Sequence, residues 1–287
     1  MALTAASLSP KVNAYSVDTS PRRIVVPKAS VLAKLQDVTV SGQLLKKQLV
    51  TLDKKTGTRT VGLAAQNGKY TTSPDGDLHF CLGTTQLKPH IACEVQNAKT
   101  IIDRFRAAVG TSITVSGFFR CLFEHPGFRS NDDAHIFEIH PVRAVKFGSE
   151  IQSLDVDIPD QNAIHTWLLP HPLNDQDSSI TVEFNAATDT LTFTGMRGQD
   201  ENYVRVPGTV SDKQLNPSGG APLAFTLTSG DIGHPIRCLC LQGTTAAKQL
   251  LGLTGNAVQV IGLRNIDLSE ALQNRYTINL LAIDIAG

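Results

Sequence analysis

Apolar residues recur at every second position along several stretches of this chain. That period argues for strands whose alternate side chains share one face. The clearest block runs from Gly76 to Val142, with strand patterns at GDLHFCLG (76–83), PHIACEV (89–95), SITVSGFFR (112–120) and AHIFEIHPVRAV (134–145). Between the second and third lies a helical stretch, NAKTIIDRFRAAVG (97–110), closed by a glycine of the kind that ends helices. A long strand pattern, VTVSGQLLKKQLVTL (38–52), precedes the block, with Gly42 as a bend or bulge. Residues 1–35 read as an irregular arm punctuated by Pro10, Pro21 and Pro27, in which Ile24, Val25 and Val26 could add an edge strand.

The pattern then repeats. With Leu78 set on Leu223 and no gap introduced, Phe80 meets Phe225, Leu82 meets Leu227, Ile91 meets Ile236 and Cys93 meets Cys238. Gly110 meets Gly255 and Gly117 meets Gly262. The last strand, HIFEIHPV (135–142), has a counterpart in TINLLAIDIA (277–286), and TLTFTGMRG (190–198) resembles VTVSGQLL (38–45). Self-similarity over this length means tandem domains and not a solenoid. The expected division is an arm at 1–35, a first domain at 36–148, a linker at 149–180 and a second domain at 181–287. The linker holds Pro159, Pro170, Pro172 and the single tryptophan, Trp167, read as a packing anchor.

Strand, strand, strand, helix, strand, strand is an order that resembles the OB-fold. The resemblance implies an all-β protein of two tandem OB-like five-stranded barrels, each with one helix between strands 3 and 4. The first half also resembles uncharacterised bacterial proteins with a G-D-x-H strand and a final E-[IL]-H-P-V strand, over roughly Gly76–Val142. That second likeness implies a fold and no activity. OB-folds commonly bind oligonucleotides or oligosaccharides on the face of strands 2 and 3, flanked by the 1–2 and 4–5 loops.

Charge narrows the ligand question only slightly. Lys+Arg and Asp+Glu are both 26, so no global attraction to nucleic acid or an anionic surface exists, and any attraction must be local. The five cysteines are an odd number set in apolar runs, which suits a reducing compartment without a disulfide framework. No apolar run approaches the ~20 residues that span a bilayer. The start, MALTAASLSPKVNAYSVD, lacks the basic opening and continuous apolar core of a signal peptide. A cytoplasmic protein with no membrane partner is the expectation.

Strand parity sorts the candidate chemistry. Leu78, Phe80 and Leu82 share one face, as do Ile91, Cys93 and Val95, leaving His79 and Glu94 on the other. Phe137 and Ile139 as a core pair send Glu138 and His140 outward. His79, Glu94, Glu138 and His140 therefore converge on one exterior strip. Imidazoles with carboxylates can ligate a divalent transition metal or act as acid and base. The same groups can equally pin strand register or dock the other domain. No HExxH pair, G-x-S-x-G elbow or P-loop accompanies them, and no cofactor is required. In the second half Ala224 and Leu239 stand at the His79 and Glu94 positions, with Ile283 and Ile285 near Glu138 and His140. The polar strip is thus expected in the first barrel alone.

The other candidate is the 4–5 loop, CLFEHPGFRSNDD (121–133), with Arg120 before it. Arg120, Phe123, His125, Phe128 and Arg129 supply the stacking rings and cations that a single strand of nucleic acid needs. Alternatively, Phe123 and Phe128 pin the loop to the barrel. The leading expectation is a non-enzymatic binding protein for single-stranded nucleic acid or another oligomeric ligand. The alternatives are a metal-dependent hydrolase, acting on phosphodiesters for instance, through the His/Glu strip, or a self-associating assembly protein. The last strand, INLLAIDIA, is apolar on both faces, so the first barrel, a homo-oligomer partner or another protein should cover it.

Overall fold

The computed structural model describes residues 6–7, 16–18, 23–45, 50–52, 59–61, 78–84, 91–96, 98–124, 135–154, 156, 180–195, 203–218, 221–230 and 232–287. The chain opens with β1 (Ala6–Ser7), β2 (Ser16–Asp18), β3 (Arg23–Pro27) and the short helix α1 (Ala29–Leu32). Then come β4 (Asp37–Leu44), β5 (Val50–Leu52), β6 (Arg59–Val61), β7 (Leu78–Gly83), β8 (Ile91–Val95), α2 (Ile102–Ala108), β9 (Ser112–Glu124), β10 (His135–Phe147) and β11 (Glu150–Ser153). The remainder is β12 (Thr181–Asn185), β13 (Thr190–Thr194), β14 (Tyr203–Gln214), β15 (Leu223–Thr228), β16 (Ile236–Cys240), α3 (Thr245–Gly252), β17 (Ala257–Ile266), α4 (Leu268–Ala271) and β18 (Ile278–Ala286).

Two barrels follow from the pairing. In the first, β4 pairs β7, β7 pairs β8, β8 runs parallel to β10, β10 pairs β9, and β9 returns to β4. In the second, β14, β15, β16, β18 and β17 close in the same order, again with one parallel pair, β16 with β18. This order, 1-2-3-5-4 with strand 3 parallel to strand 5, is the OB-like arrangement. The repeat offset holds for three strands, since β7, β8 and β9 begin at Leu78, Ile91 and Ser112 where β15, β16 and β17 begin at Leu223, Ile236 and Ala257.

Alternation explains the barrel walls. On β4, Val38 and Val40 are buried while Thr39 and Ser41 are not, and Thr39 and Ser41 bond across to Ser116 and Thr114 at 2.8 Å. Helix α2 plugs its barrel with one large ring, Phe105, which meets Phe80 at 4.7 Å and Phe147 at 5.2 Å between centroids. Gly110, just after it, takes a left-handed φ of 85°, as a helix-ending glycine does. Helix α3 starts on Thr244, whose hydroxyl accepts from the Ala247 amide, and buries Ala246, Ala247 and Leu250.

Several sequence expectations change. The first long strand stops at Leu44, and Val50–Leu52 belongs instead to a separate hairpin with Arg59–Val61. The helical stretch is a 3-10 turn at Ala98–Thr100 followed by α2. The arm is only partly irregular. β3 is no edge strand but lies between β13 and β2 in a four-stranded sheet ordered β12-β13-β3-β2. TLTFT is therefore not the opening strand of the second barrel. That role falls to β14, and β13 pairs with β3 because Leu191 and Phe193 bury beside Ile24 and Val26.

The small sheet ties the barrels together. Its buried residues share one core with the first barrel, and that core also takes in Ile266, Leu268 and Ala271 from the end of β17 and α4. Among the described residues no helix is long and apolar enough to cross a membrane.

Candidate functional site

Two rows of side chains cross the outer face of β7, β8, β10 and β9. His79 lies directly opposite Glu94, and the parallel register that sets Ile139 beside Cys93 brings His140 next to Glu94. In the neighbouring row Glu138 is opposite both Ala92 and Arg120. Strand parity alone puts all of these on one side. The pairing decides which of them touch.

The contacts are short. His79 Nε2 is 3.0 Å from Glu94 Oε1, and His140 Nδ1 is 3.1 Å from Glu94 Oε2. His140 Nδ1 also donates to Glu138 Oε1 at 3.1 Å. Arg120 donates from Nη1 to the same Glu138 oxygen. Burial by itself would push the His140 pKa down, but the Glu94 and Glu138 carboxylates overcome it and hold the imidazole up at about 9. Burial would raise the Glu94 carboxyl, and His140 and His79 instead hold it well below the usual range. Two carboxylates thus face the Arg120 guanidinium and the His140 imidazolium, with His79 beside Glu94, so the buried charges are paired.

The strip is not on the protein's exterior. Arg120, Glu138, His140 and Glu94 are essentially inaccessible, and His79 is 6% exposed. The second barrel covers this side. Arg120 Nε donates to the Arg264 carbonyl at 2.7 Å, and the Cys121 amide donates to Asn265 Oδ1 at 2.7 Å. Gln96 hydrogen-bonds the Tyr203 hydroxyl, and the Tyr203 ring stands edge-on to His140 at 6.1 Å. Arg143 spans Asp37 on β4 and the Gln242 carbonyl, the latter at 2.8 Å. Around this seam Phe118 of β9 packs with Tyr203, Leu239, Leu263, Leu281 and Ile283 of the second barrel. The apolar outer face of the last strand is covered in this way within one chain.

The second barrel carries a polar pair at the matching place. Pairing registers put Asn265 and Asn279 where the first barrel has Arg120 and Glu138, and Asn265 Nδ2 donates to Asn279 Oδ1 at 2.8 Å. Without a gap the offset puts Ile283 and Ile285 near Glu138 and His140, because the 4–5 connections differ in length, and so passes over Asn279. Asn265 does fall on Arg120 at that offset, but it, Gln96 and Tyr203 carry no local signal of a role. They become significant only once the two outer faces meet.

The loop candidates divide. Phe123 is fully buried in the first core, and Arg120 is committed to Glu138 and Arg264, so neither presents a surface to a ligand. His125, Phe128 and Arg129 lie outside the described residues. Cys121 is buried, and burial pushes its thiol up out of nucleophilic range.

A metal has donors here. Glu94, Glu138 and His140 each offer one atom within 4.8 Å of the others, a set of oxygen and imidazole donors suited to zinc. Arg120 Nη1, however, bonds the same Glu138 oxygen and stands 3.1 Å from His140 Nδ1. The guanidinium occupies the side of the donors that a cation would take.

No family model matches the sequence, and no curated protein matches it. Among solved structures, the wild-type single-stranded DNA binding protein from Thermus aquaticus overlaps 88% of this chain and 91% of its own, at 10% identity and a TM-score of 0.23. A deletion mutant of that protein overlaps 94% of this chain and 85% of its own, at 12% identity and a TM-score of 0.22. Overlaps this shallow do not bear on function, and the fold rests on the strand order and register described above.

Proposed function

We propose that this chain is a non-enzymatic binding protein for single-stranded nucleic acid, engaged through the loops of the first barrel. The observation that carries the reading is the inequality of the two 1–2 connections. In the second barrel that connection is residues 215–222, whereas in the first it is residues 45–77 and includes the hairpin of β5 and β6. The longer one contains Lys46, Lys47, Lys54, Lys55, Arg59 and Lys69 against Asp53, Asp75 and Asp77. A locally basic extension on a chain of zero net charge is a backbone-tracking feature. The stretch 125–134, with His125, Phe128 and Arg129, connects β9 to β10. Its aromatic rings offer base stacking.

Fluorescence anisotropy with labelled oligo-dT tests this directly. Binding should be measurable at low salt and should weaken as salt rises, because phosphate contacts release counterions. Reversing Lys54 and Lys55 to Glu should weaken it further. Absence of binding by the wild-type protein at low salt would end the proposal.

One observation favours a second reading, a divalent-metal centre for hydrolysis, namely the proximity of Glu94, Glu138 and His140. Against it stand Arg120 and the complete burial of the three, which leaves a substrate no approach. Elemental analysis of purified protein separates the two. Stoichiometric zinc surviving dialysis would favour the metal centre.

A further inference from the structure

Among the described residues, two large apolar side chains are exposed, Ile151 at 67% and Leu251 at 58%. They lie on different barrels and in complementary settings. Ile151 sits on β11, which among the described residues is the last strand of its sheet and pairs with β10 through a tight turn at Gly148. Beside it, Glu150 projects an exposed carboxylate that Arg104 grips with both Nη atoms at 2.7 and 3.0 Å. Arg104 is itself held over the Phe147 ring at 4.9 Å, so the carboxylate is already positioned.

Leu251 sits on α3, one turn beyond Ala247, along a groove of about 430 Å³. Leu215, Pro217 and Leu223 form its apolar wall, and among the described residues Lys248 is the one charged residue lining it. Among the described residues no carboxylate lines the groove beside that lysine. The groove therefore suits an apolar side chain accompanied by an acid.

We propose that the occupant is a second copy of this chain, with Ile151 of one copy entering the groove of the next and Glu150 facing Lys248. Because the protruding patch and the receiving groove are different surfaces, the contact is heterologous and propagates head to tail. Preorganisation of Glu150 by Arg104 lowers the ordering cost of docking. This inference is independent of nucleic-acid binding, and its test contains no nucleic acid.

Sedimentation equilibrium over a range of protein concentrations reads the outcome. The wild-type mass should rise with concentration, and Ile151→Asp and Leu251→Asp should each stay monomeric. Both positions are exposed, so both variants should keep the wild-type circular dichroism spectrum and melting temperature. An equimolar mixture of the two variants retains one intact groove and one intact Ile151, and should form dimers and nothing larger. A wild-type protein monomeric at every concentration overturns the proposal. So does a wild type that associates while the mixed variants do not, since that result requires a different interface.

Discussion

His140 Nδ1 stands 3.1 Å from a carboxylate oxygen of Glu94 and 3.1 Å from one of Glu138, with no exposed surface of its own. Stability should therefore depend on pH at both ends. The His140 pKa is raised to about 9, so its contribution is complete below the unfolded value near 6.5 and is lost as pH rises through the folded one. Glu94 is depressed, so its contribution is present above the ordinary carboxyl range and is lost as pH falls through the folded value. Melting temperature should form a plateau between the ordinary carboxyl range and about pH 6.5, falling on the alkaline side through neutrality towards pH 9 and on the acid side as Glu94 protonates. His140→Gln should flatten the alkaline loss and also shrink the acid one, leaving only the part that His79 sustains at Glu94.

Arg120 and Glu138 should be strongly coupled. Arg120→Met leaves Glu138 buried without its guanidinium, and breaking such a pair costs about 3–5 kcal/mol. Adding Glu138→Leu removes the stranded charge and should recover a large part of that loss. Urea denaturation of the two singles and the double measures it, and additive losses would contradict direct coupling.

Asn265 joins three elements, accepting from the Cys121 amide and donating to Asn279, which in turn donates to Asp267 at 3.2 Å. Asn265→Ala strands a buried amide and a buried carboxamide, so a loss of about 1–3 kcal/mol is expected. Hydrogen exchange should show the effect on both sides of the seam, at Cys121 and at Asn279. Protection lost on the second barrel alone would argue against the coupling.

The repeat also predicts a graded pair of glycine effects. A Cβ at Gly117 would press into the Pro141 carbonyl oxygen and lie 2.6 Å from Ile139 Cγ2. At Gly262 the nearest atom would be the Leu281 oxygen, at 3.0 Å. Gly117→Ala should therefore lower the melting temperature more than Gly262→Ala. Equal effects would mean that the two bulged corners are equally tight, against the contacts described.

Much of the fold was legible in the sequence. The walls of both barrels come from period-two runs, because a strand half-buried in a closed barrel must alternate. The offset from Leu78 to Leu223 located three matching strands without any coordinates. The offset fails at β18, where the 4–5 connections differ in length. A separate local likeness to VTVSG puts TLTFT in a barrel, although its partner, β3, is far away in sequence.

The sequence by itself determined which residues share a face. His79, Glu94, Glu138 and His140 fall together because side chains alternate strictly along a strand, and that rule is local. Only the tertiary structure decided what that face meets. The ends of β14 and β17 bring Tyr203, Arg264 and Asn265 onto it, so an exterior strip becomes a buried ionic seam joined by Arg120. Burial depends on chain segments more than a hundred residues apart, as in the bond from Arg120 to the Arg264 carbonyl. No local pattern encodes such a meeting, and it is burial that turns polar side chains from ligand contacts into the join between two barrels.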